Sequence, residues 1–295
     1  MTLSWVSGVG ALYHDVYFGT DADAVANAGH LSPEFMGTFS ETNFDPCSLE
    51  FETTYYWRID EVGPACTMQG EVWNFATSIG LISWWKFDEG EGSIAYDSAG
   101  ENHGTIHGPT WTAGQINSAL SFDGMDDYVD IPYDASLDID ASEGITLSVW
   151  IKLNSYPTGS DSGPIFGLYD STGAGTKNYL ALAKSINGNV ISWDQYPPSG
   201  GFITSIKPDL DKWYHVAVVQ DSSHRAIYIN GTLDVSDNVP ETYQGNTPDT
   251  IRIGNRADLA PYYFHGTIDD VRIYDKALSA EEIGQLYQNG LMAGP

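Results

Sequence analysis

Positive charge is scarce in this sequence: 12 Lys and Arg stand against 40 Asp and Glu, for a formal net charge of -28. So acidic a surface repels phosphate backbones and anionic bilayers, which excludes nucleic acid as a partner and membrane binding through basic patches. Cysteine is nearly absent. Cys47 and Cys66, 19 positions apart in one segment, permit a single disulfide in an oxidising compartment, the alternative being two free buried thiols. No run of about 18 apolar residues occurs, so nothing reads as a membrane span. The first residues do not read as a signal peptide either. The chain opens at Met1-Thr2-Leu3-Ser4-Trp5, inside what reads as a strand, so an excised fragment with its export signal upstream is expected. Catalytic signatures are missing as well. There is no Gly-x-Ser-x-Gly elbow, no phosphate loop and no His-Glu-x-x-His, and no Cys–His nucleophile pair is credible with both cysteines in the small first segment. His103 and His107 are spaced by four, but in a glycine-rich stretch rather than on a helix.

What is present describes a folded, turn-rich protein of two domains: 295 residues, 42% hydrophobic, 13% aromatic, with 31 glycines. Residues 1–78 hold short aromatic and β-branched runs, Thr2 to Trp5, Tyr13 to Phe18, Thr53 to Ile59 and Glu71 to Thr77, separated by Gly, Asp, Asn and Pro. This segment is expected to be all-β, with its Trp and Tyr residues in the core. Residues 79–84 contain no Pro- or Ser-rich linker, which points to a close junction. From Leu81 strands and tight turns continue. Ile145 to Ile151 and Trp213 to Val219 alternate apolar residues with period two, and Asn230-Gly231 supplies the positive φ values of a two-residue hairpin turn. One helix is predicted near the end. Ser279-Ala280-Glu281-Glu282 is a capping box, Ile283, Leu286 and Tyr287 form an apolar stripe, and Gly290 reads as its stop.

The phrases Leu3-Ser4-Trp5, His14 to Thr20, Tyr55 to Glu61 and Val72 to Thr77 resemble fibronectin type III-like modules found beside bacterial polysaccharide-active domains, with the family's first strand missing. The remainder resembles the laminin-G-like (concanavalin A-like lectin/glucanase) jelly rolls. That likeness rests on Leu81 to Gly90, Asp97 to Thr105, Ala119 to Gly124 with Asp127-Tyr128-Val129, Ile145 to Ile151, Trp213 to Ala217, Tyr228 to Gly231 and Gly266 to Ser279, in that order. The expected fold is therefore all-β: a fibronectin III-like sandwich over residues 1–78, then a jelly-roll sandwich over 79–295 with one short C-terminal helix.

Three candidate sites follow. A surplus of carboxylates suits calcium, which takes six to eight oxygen ligands. The resemblance implies a site built from Asp97, Asn102 and Asp269 or Asp270, with Asp123 or Asp127 as further ligands; the competing reading is that Asp97 and Asn102 only lock turns. A sugar platform would pair aromatic faces with polar groups, as in Trp193-Asp194-Gln195-Tyr196 and in the stretch holding Arg256, Asp258, Tyr262 and Tyr263. Trp84, Trp85, Trp150 and Trp213 read as core. Finally, Asp138, Asp140 and Glu143 imperfectly resemble the acidic strand of concanavalin A-like glucanases, but Ala141 to Gly144 reads as a turn, so the three carboxylates would not line one face.

The reading that results is a monomeric, extracellular or cell-surface, noncatalytic carbohydrate-binding module of a polysaccharide-degrading or adhesion protein, calcium-dependent, with a polysaccharide or oligosaccharide as partner. A protein-binding adhesion module is the alternative, and a glycoside hydrolase or polysaccharide lyase the outsider.

Overall fold

The computed structural model describes residues 2–46, 49, 53–77, 80–137, 144–157, 162–169, 177–182, 188–196, 200–238, 250–256 and 262–292. The chain forms two compact units, Met1–Ile79 and Gly80–Pro295. Among the described residues no helix is long and apolar enough to cross a membrane.

The first unit contains β1 (Leu3–Ser4), β2 (Tyr13–Gly19), α1 (Ala22–Asn27), β3 (Phe35–Phe39), β4 (Asn43–Phe44), β5 (Thr54–Val62), β6 (Thr67–Met68) and β7 (Val72–Ala76). Strands β3, β2, β5 and β6 lie side by side with β7 also on β5, and β1 pairs with β4. The helix interrupts the expected run of strands. Its cause is local: Asp21 caps it by accepting from the Ala24 amide at 2.8 Å, and alanine-rich sequence follows. Arg58, 1% exposed, closes the other end by donating to the carbonyls of Val25, Ala26 and Ala28. Tyr17 and Tyr55 are buried as expected, whereas Trp73 is exposed. Cys66 is an exposed free thiol, and Cys47, its expected disulfide partner, lies outside the described residues.

The second unit runs β8 (Leu81–Trp85), β9 (Ile94–Ala95), β10 (Gly104–His107), β11 (Thr110–Ala113), β12 (Ser118–Asp123), β13 (Tyr128–Pro132), β14 (Ile145–Leu153), β15 (Gly163–Tyr169), β16 (Lys177–Leu182), β17 (Ile191–Tyr196), β18 (Gly200–Ile203), β19 (Trp213–Gln220), β20 (His224–Ile229), β21 (Thr232–Asn238), β22 (Thr250–Ile253), β23 (His265–Tyr274) and α2 (Ala280–Met292). All pairings are antiparallel. One sheet has the order β18-β17-β16-β15-β22-β13-β10-β9; the other has β11-β12-β23-β14-β19-β20-β21, with β8 also on β23. Alternate residues of both sheets, among them Phe122, Val149, Phe166, Ile227, Ile253 and Val271, meet in a single buried cluster. The β20–β21 turn has Asn230 at φ 51° and Gly231 at φ 72°, as the dipeptide predicts.

The capping box of α2 forms in both directions. The Glu282 amide donates to Ser279 Oγ at 3.2 Å, and the Ser279 amide to Glu282 Oε2 at 2.7 Å. Gly290 is not the stop, because the helix continues to Met292. A Cβ at Gly290 would lie 2.6 Å from Trp150 Nε1, so this glycine is where the helix backbone rests on the indole. Of the four expected core tryptophans, Trp85 and Trp150 are buried. Trp84 is half-buried between Lys86 and Arg272, each 4.1 Å from its ring, and Trp213 lies under Lys152 at 4.9 Å.

Candidate functional site

Strand pairing draws one continuous row across all eight strands of the β18-to-β9 sheet. From the β9 edge the register runs Ile94, Thr105, Asp130 and Arg252. It continues through Gly167, Tyr179, Asp194 and Gly201. Around Asp130 and Arg252 the flanking residues Val129, Ile131, Ile251 and Ile253 are all buried in the core, so period-two alternation turns this row to the opposite face. Arg252 Nε donates to Asp130 Oδ1 at 2.9 Å, with the two side chains 25% and 40% exposed. The same guanidinium lies 4.4 Å over the Tyr128 ring, and exposed His107 stacks on that ring at 4.6 Å. The exposed His107 ring, backed by Tyr128, thus adjoins a carboxylate and a guanidinium.

Part of the expected sugar platform is tied to Arg252 through buried Asn255. Arg252 donates through a terminal nitrogen to Asn255 Oδ1 at 2.9 Å, and Asn255 Nδ2 donates to the Tyr262 carbonyl at 3.1 Å. Arg256 sits 5.5 Å from the Tyr262 ring, and Tyr262 and Tyr263 are half-buried; Asp258 lies outside the described residues. The other expected cluster divides. Trp193 is 1% exposed and its indole N–H donates to Gln220 Oε1 at 2.8 Å, so it belongs to the core and offers no platform. Its register partner is Leu180, one step from the row that holds Asp194, and a single residue of offset decides which face a position serves. Gln195 and Tyr196 complete β17. Asp138, Asp140 and Glu143 lie outside the described residues.

The expected calcium ligands are distributed over several arrangements. Asp97 is filled by backbone donors: its Oδ1 accepts from the Trp84 and Ala99 amides at 2.8 and 3.0 Å, and its Oδ2 from the Asn102 amide at 3.2 Å. Asn102 donates to Ser83 and Ser136 and accepts from Trp85 Nε1. Both residues therefore serve as locks for the loop against β8. Asp270, at φ 51° on a bulge of β23, accepts from Trp84 Nε1 at 2.5 Å and pairs with Arg272. Asp123 groups with Asp126 and Asp127, and its own amide donates to Asp127 Oδ2 at 2.7 Å. Burial, together with the neighbouring Asp123 and Asp126 charges and against that amide bond, holds the Asp127 carboxyl above its usual range.

Asp269 differs from all of these. It is 0% exposed; its Oδ2 accepts from the Ile116 amide at 2.9 Å, while its Oδ1 is buried without a donor. Burial first, then the charges of Asp270 and Asp88, push its carboxyl up to about 8 despite the amide bonds from Ile116 and Gln115. Asp88 was not singled out by the sequence. It accepts from Asn117 Nδ2 at 3.1 Å and from the Ser118 amide at 3.4 Å, on the loop that also holds Asp269. Its signal is in the structure only: Phe87, next to it in the chain, and Asn117, its hydrogen-bond partner, both adopt positive φ.

Two antiparallel sheets enclosing one core, with an amphipathic outer face and a carboxylate nook on β23, define the class as a jelly-roll β-sandwich. The chain belongs to the concanavalin A-like lectin/glucanases superfamily, whose laminin-G-type family model matches residues 123–284. No curated protein matches the sequence. Among solved structures, domain 4 of AbnA, a GH43 extracellular arabinanase from Geobacillus stearothermophilus in complex with arabinotriose, superposes with a TM-score of 0.57 at 23% identity, over 71% of this chain and 98% of that one. A Trypanosoma rangeli sialidase in complex with the inhibitor DANA gives 0.56 at 16% identity, over 82% of this chain and 43% of the sialidase. The binding domain of botulinum neurotoxin serotype G gives 0.55 at 17% identity, over 71% of this chain and 51% of that domain. This chain therefore spans about half or less of the latter two. At these identities the likeness is one of fold.

Proposed function

We propose that this chain is a noncatalytic carbohydrate-binding module of an extracellular polysaccharide-degrading or adhesion protein, and that it holds an oligosaccharide on the outer face of the eight-stranded β18-to-β9 sheet. The observation that carries this reading is the exposed His107 ring, stacked on Tyr128 beside the Asp130–Arg252 pair. Sugar rings present C–H faces that pack on aromatic rings, while a carboxylate and a guanidinium accept from and donate to the hydroxyls. The arabinotriose bound by domain 4 of the arabinanase lends support from a protein of the same fold.

Calcium belongs to this reading as a stabiliser. The bare Oδ1 of Asp269 and the adjacent Asp88 fit a hard cation, which would remove the cost of a buried, donorless carboxylate; further oxygens would come from backbone and water. The first unit, read as a fibronectin III-like module, serves as a spacer, and the chain acts as a monomer. Isothermal titration of the full chain against a panel of neutral and acidic oligosaccharides, with calcium and with EDTA, tests the proposal. Binding to at least one glycan, abolished by Tyr128→Ala while the fold persists, is expected. Failure to bind every glycan in the panel overturns it.

A further inference from the structure

We infer that the sheet face selects an uncharged glycan, held through two neighbouring hydroxyls by the Asp130–Arg252 pair, with the sugar chain running across the strands rather than along them. This inference rests on the carbohydrate-binding reading above. Three observations carry it.

The first is the charge of the row itself. In it Asp130 and Arg252 neutralise each other, so the pair offers no surplus positive charge, within a chain already at -28. A uronate or sulfated chain would meet the negative field of the whole chain with no surplus cation at this pair to offset it. The second is the state of Arg252. Its Nε is committed to Asp130 and one terminal nitrogen to Asn255, and its face covers Tyr128, so it is neutralised within the protein rather than held ready for an anion. A charge-neutral pair of acceptor and donor fits a diol: one hydroxyl donates to the carboxylate and its neighbour accepts from the guanidinium edge. The third is direction. The row crosses every strand of the sheet, and next to Arg252 stands Gly167, which places no side chain in the path.

The test is competitive titration of the full chain at low ionic strength with neutral arabino-, xylo- and gluco-oligosaccharides against oligogalacturonate and a sulfated galactan. A neutral oligosaccharide is expected to bind about tenfold or more tighter than either polyanion. Thr105→Lys, at an exposed position next to Asp130 in the row, should narrow that gap by raising affinity for oligogalacturonate. Asp130→Asn should weaken the neutral ligand, with a thermal melt confirming that the variant is folded. Tighter binding of a polyanion by the unmodified chain overturns the inference while leaving the carbohydrate-binding reading standing, as does a Thr105→Lys variant with unchanged selectivity. No binding to any of these glycans overturns both.

Discussion

Asp269 and Ile116 are joined by one hydrogen bond of 2.9 Å, from an amide on the loop before β12 to a carboxylate on β23, and that bond leaves the second oxygen of a fully buried side chain bare. The consequence is a proton. With its ordinary value of 3.8 raised to about 8 in the fold, this carboxyl is protonated in the cation-free folded chain and ionised in the unfolded chain between those values. The folded state then binds more protons than the unfolded one, so this group's contribution is fully present below 3.8 and is lost as pH rises towards about 8. A bound cation requires the ionised form and reverses that trend.

The expected outcome is a calcium-induced rise in Tm that is larger at pH 8 than at pH 6, with proton uptake or release measured by calorimetry in two buffers showing protons released on binding. Asp269→Asn should melt closer to the unmodified protein at pH 5 than at pH 8 in EDTA, and should lose the calcium increment. An increment independent of pH, or one retained in Asp269→Asn, would sink the assignment of the cation to this carboxylate.

Trp193 bears on stability rather than on binding. Trp193→Ala removes a fully buried indole from the core and strands Gln220 without its donor, at a cost of about 3–5 kcal/mol. Trp193→Phe keeps most of the volume but loses the hydrogen bond, at about 1–3 kcal/mol. Denaturant titration should recover these magnitudes, and Trp193→Phe should bind glycan as the unmodified chain does. Loss of binding in a stably folded Trp193→Phe variant would return this residue to the ligand site.

Local signals were legible in the sequence and distant ones were not. The Ser279–Glu282 capping box and the Asn230-Gly231 turn are made by residues within four positions, so their chemistry is complete in a short stretch. Asp130 and Arg252 are 122 positions apart and Ile116 and Asp269 are 153 apart, so only the fold unites each pair, the first through strand register and the second through the loop before β12. His107 was dismissed for want of a helix, yet alternation along β10 brings it to the same face as Tyr128. The attribution of a platform to Trp193 failed by one step of that alternation, because in a fully ordered strand neighbouring residues serve opposite faces. Gly290 misled in another way: glycine ends helices often, but here it is required by what lies beneath the helix.

In the first unit, Arg58 is the residue on which α1 depends. Its nitrogens take three carbonyls at the end of that helix and both oxygens of Asp60, at 2.6 to 3.0 Å. Arg58→Met leaves Asp60 as an uncompensated buried charge and the helix end without donors, a loss of about 3–5 kcal/mol. Exchange of the amides in residues 22–28 should accelerate in that variant before the rest of the unit opens. Unchanged protection there would show that the helix end is held by other means.

Gly290 gives two opposed effects of known size. Replacing a glycine inside a helix with alanine favours the helix by about 1 kcal/mol. At this position, however, the new methyl would stand 2.6 to 2.8 Å from three atoms of the Trp150 indole, a rigid ring on β14 that is itself buried and stacked on Tyr287. Overpacking of this kind costs about 1–3 kcal/mol, and the ring has no flexible end that can give way, so the clash should win. Gly290→Ala should therefore lower stability, whereas Gln288→Ala on the exposed side of the same helix should leave it nearly unchanged. The indole reports the event directly: a shift of Trp150 fluorescence in Gly290→Ala, absent in Gln288→Ala, would mark the helix lifting from the sheet, and a stabilised Gly290→Ala variant would show that propensity outweighs the contact.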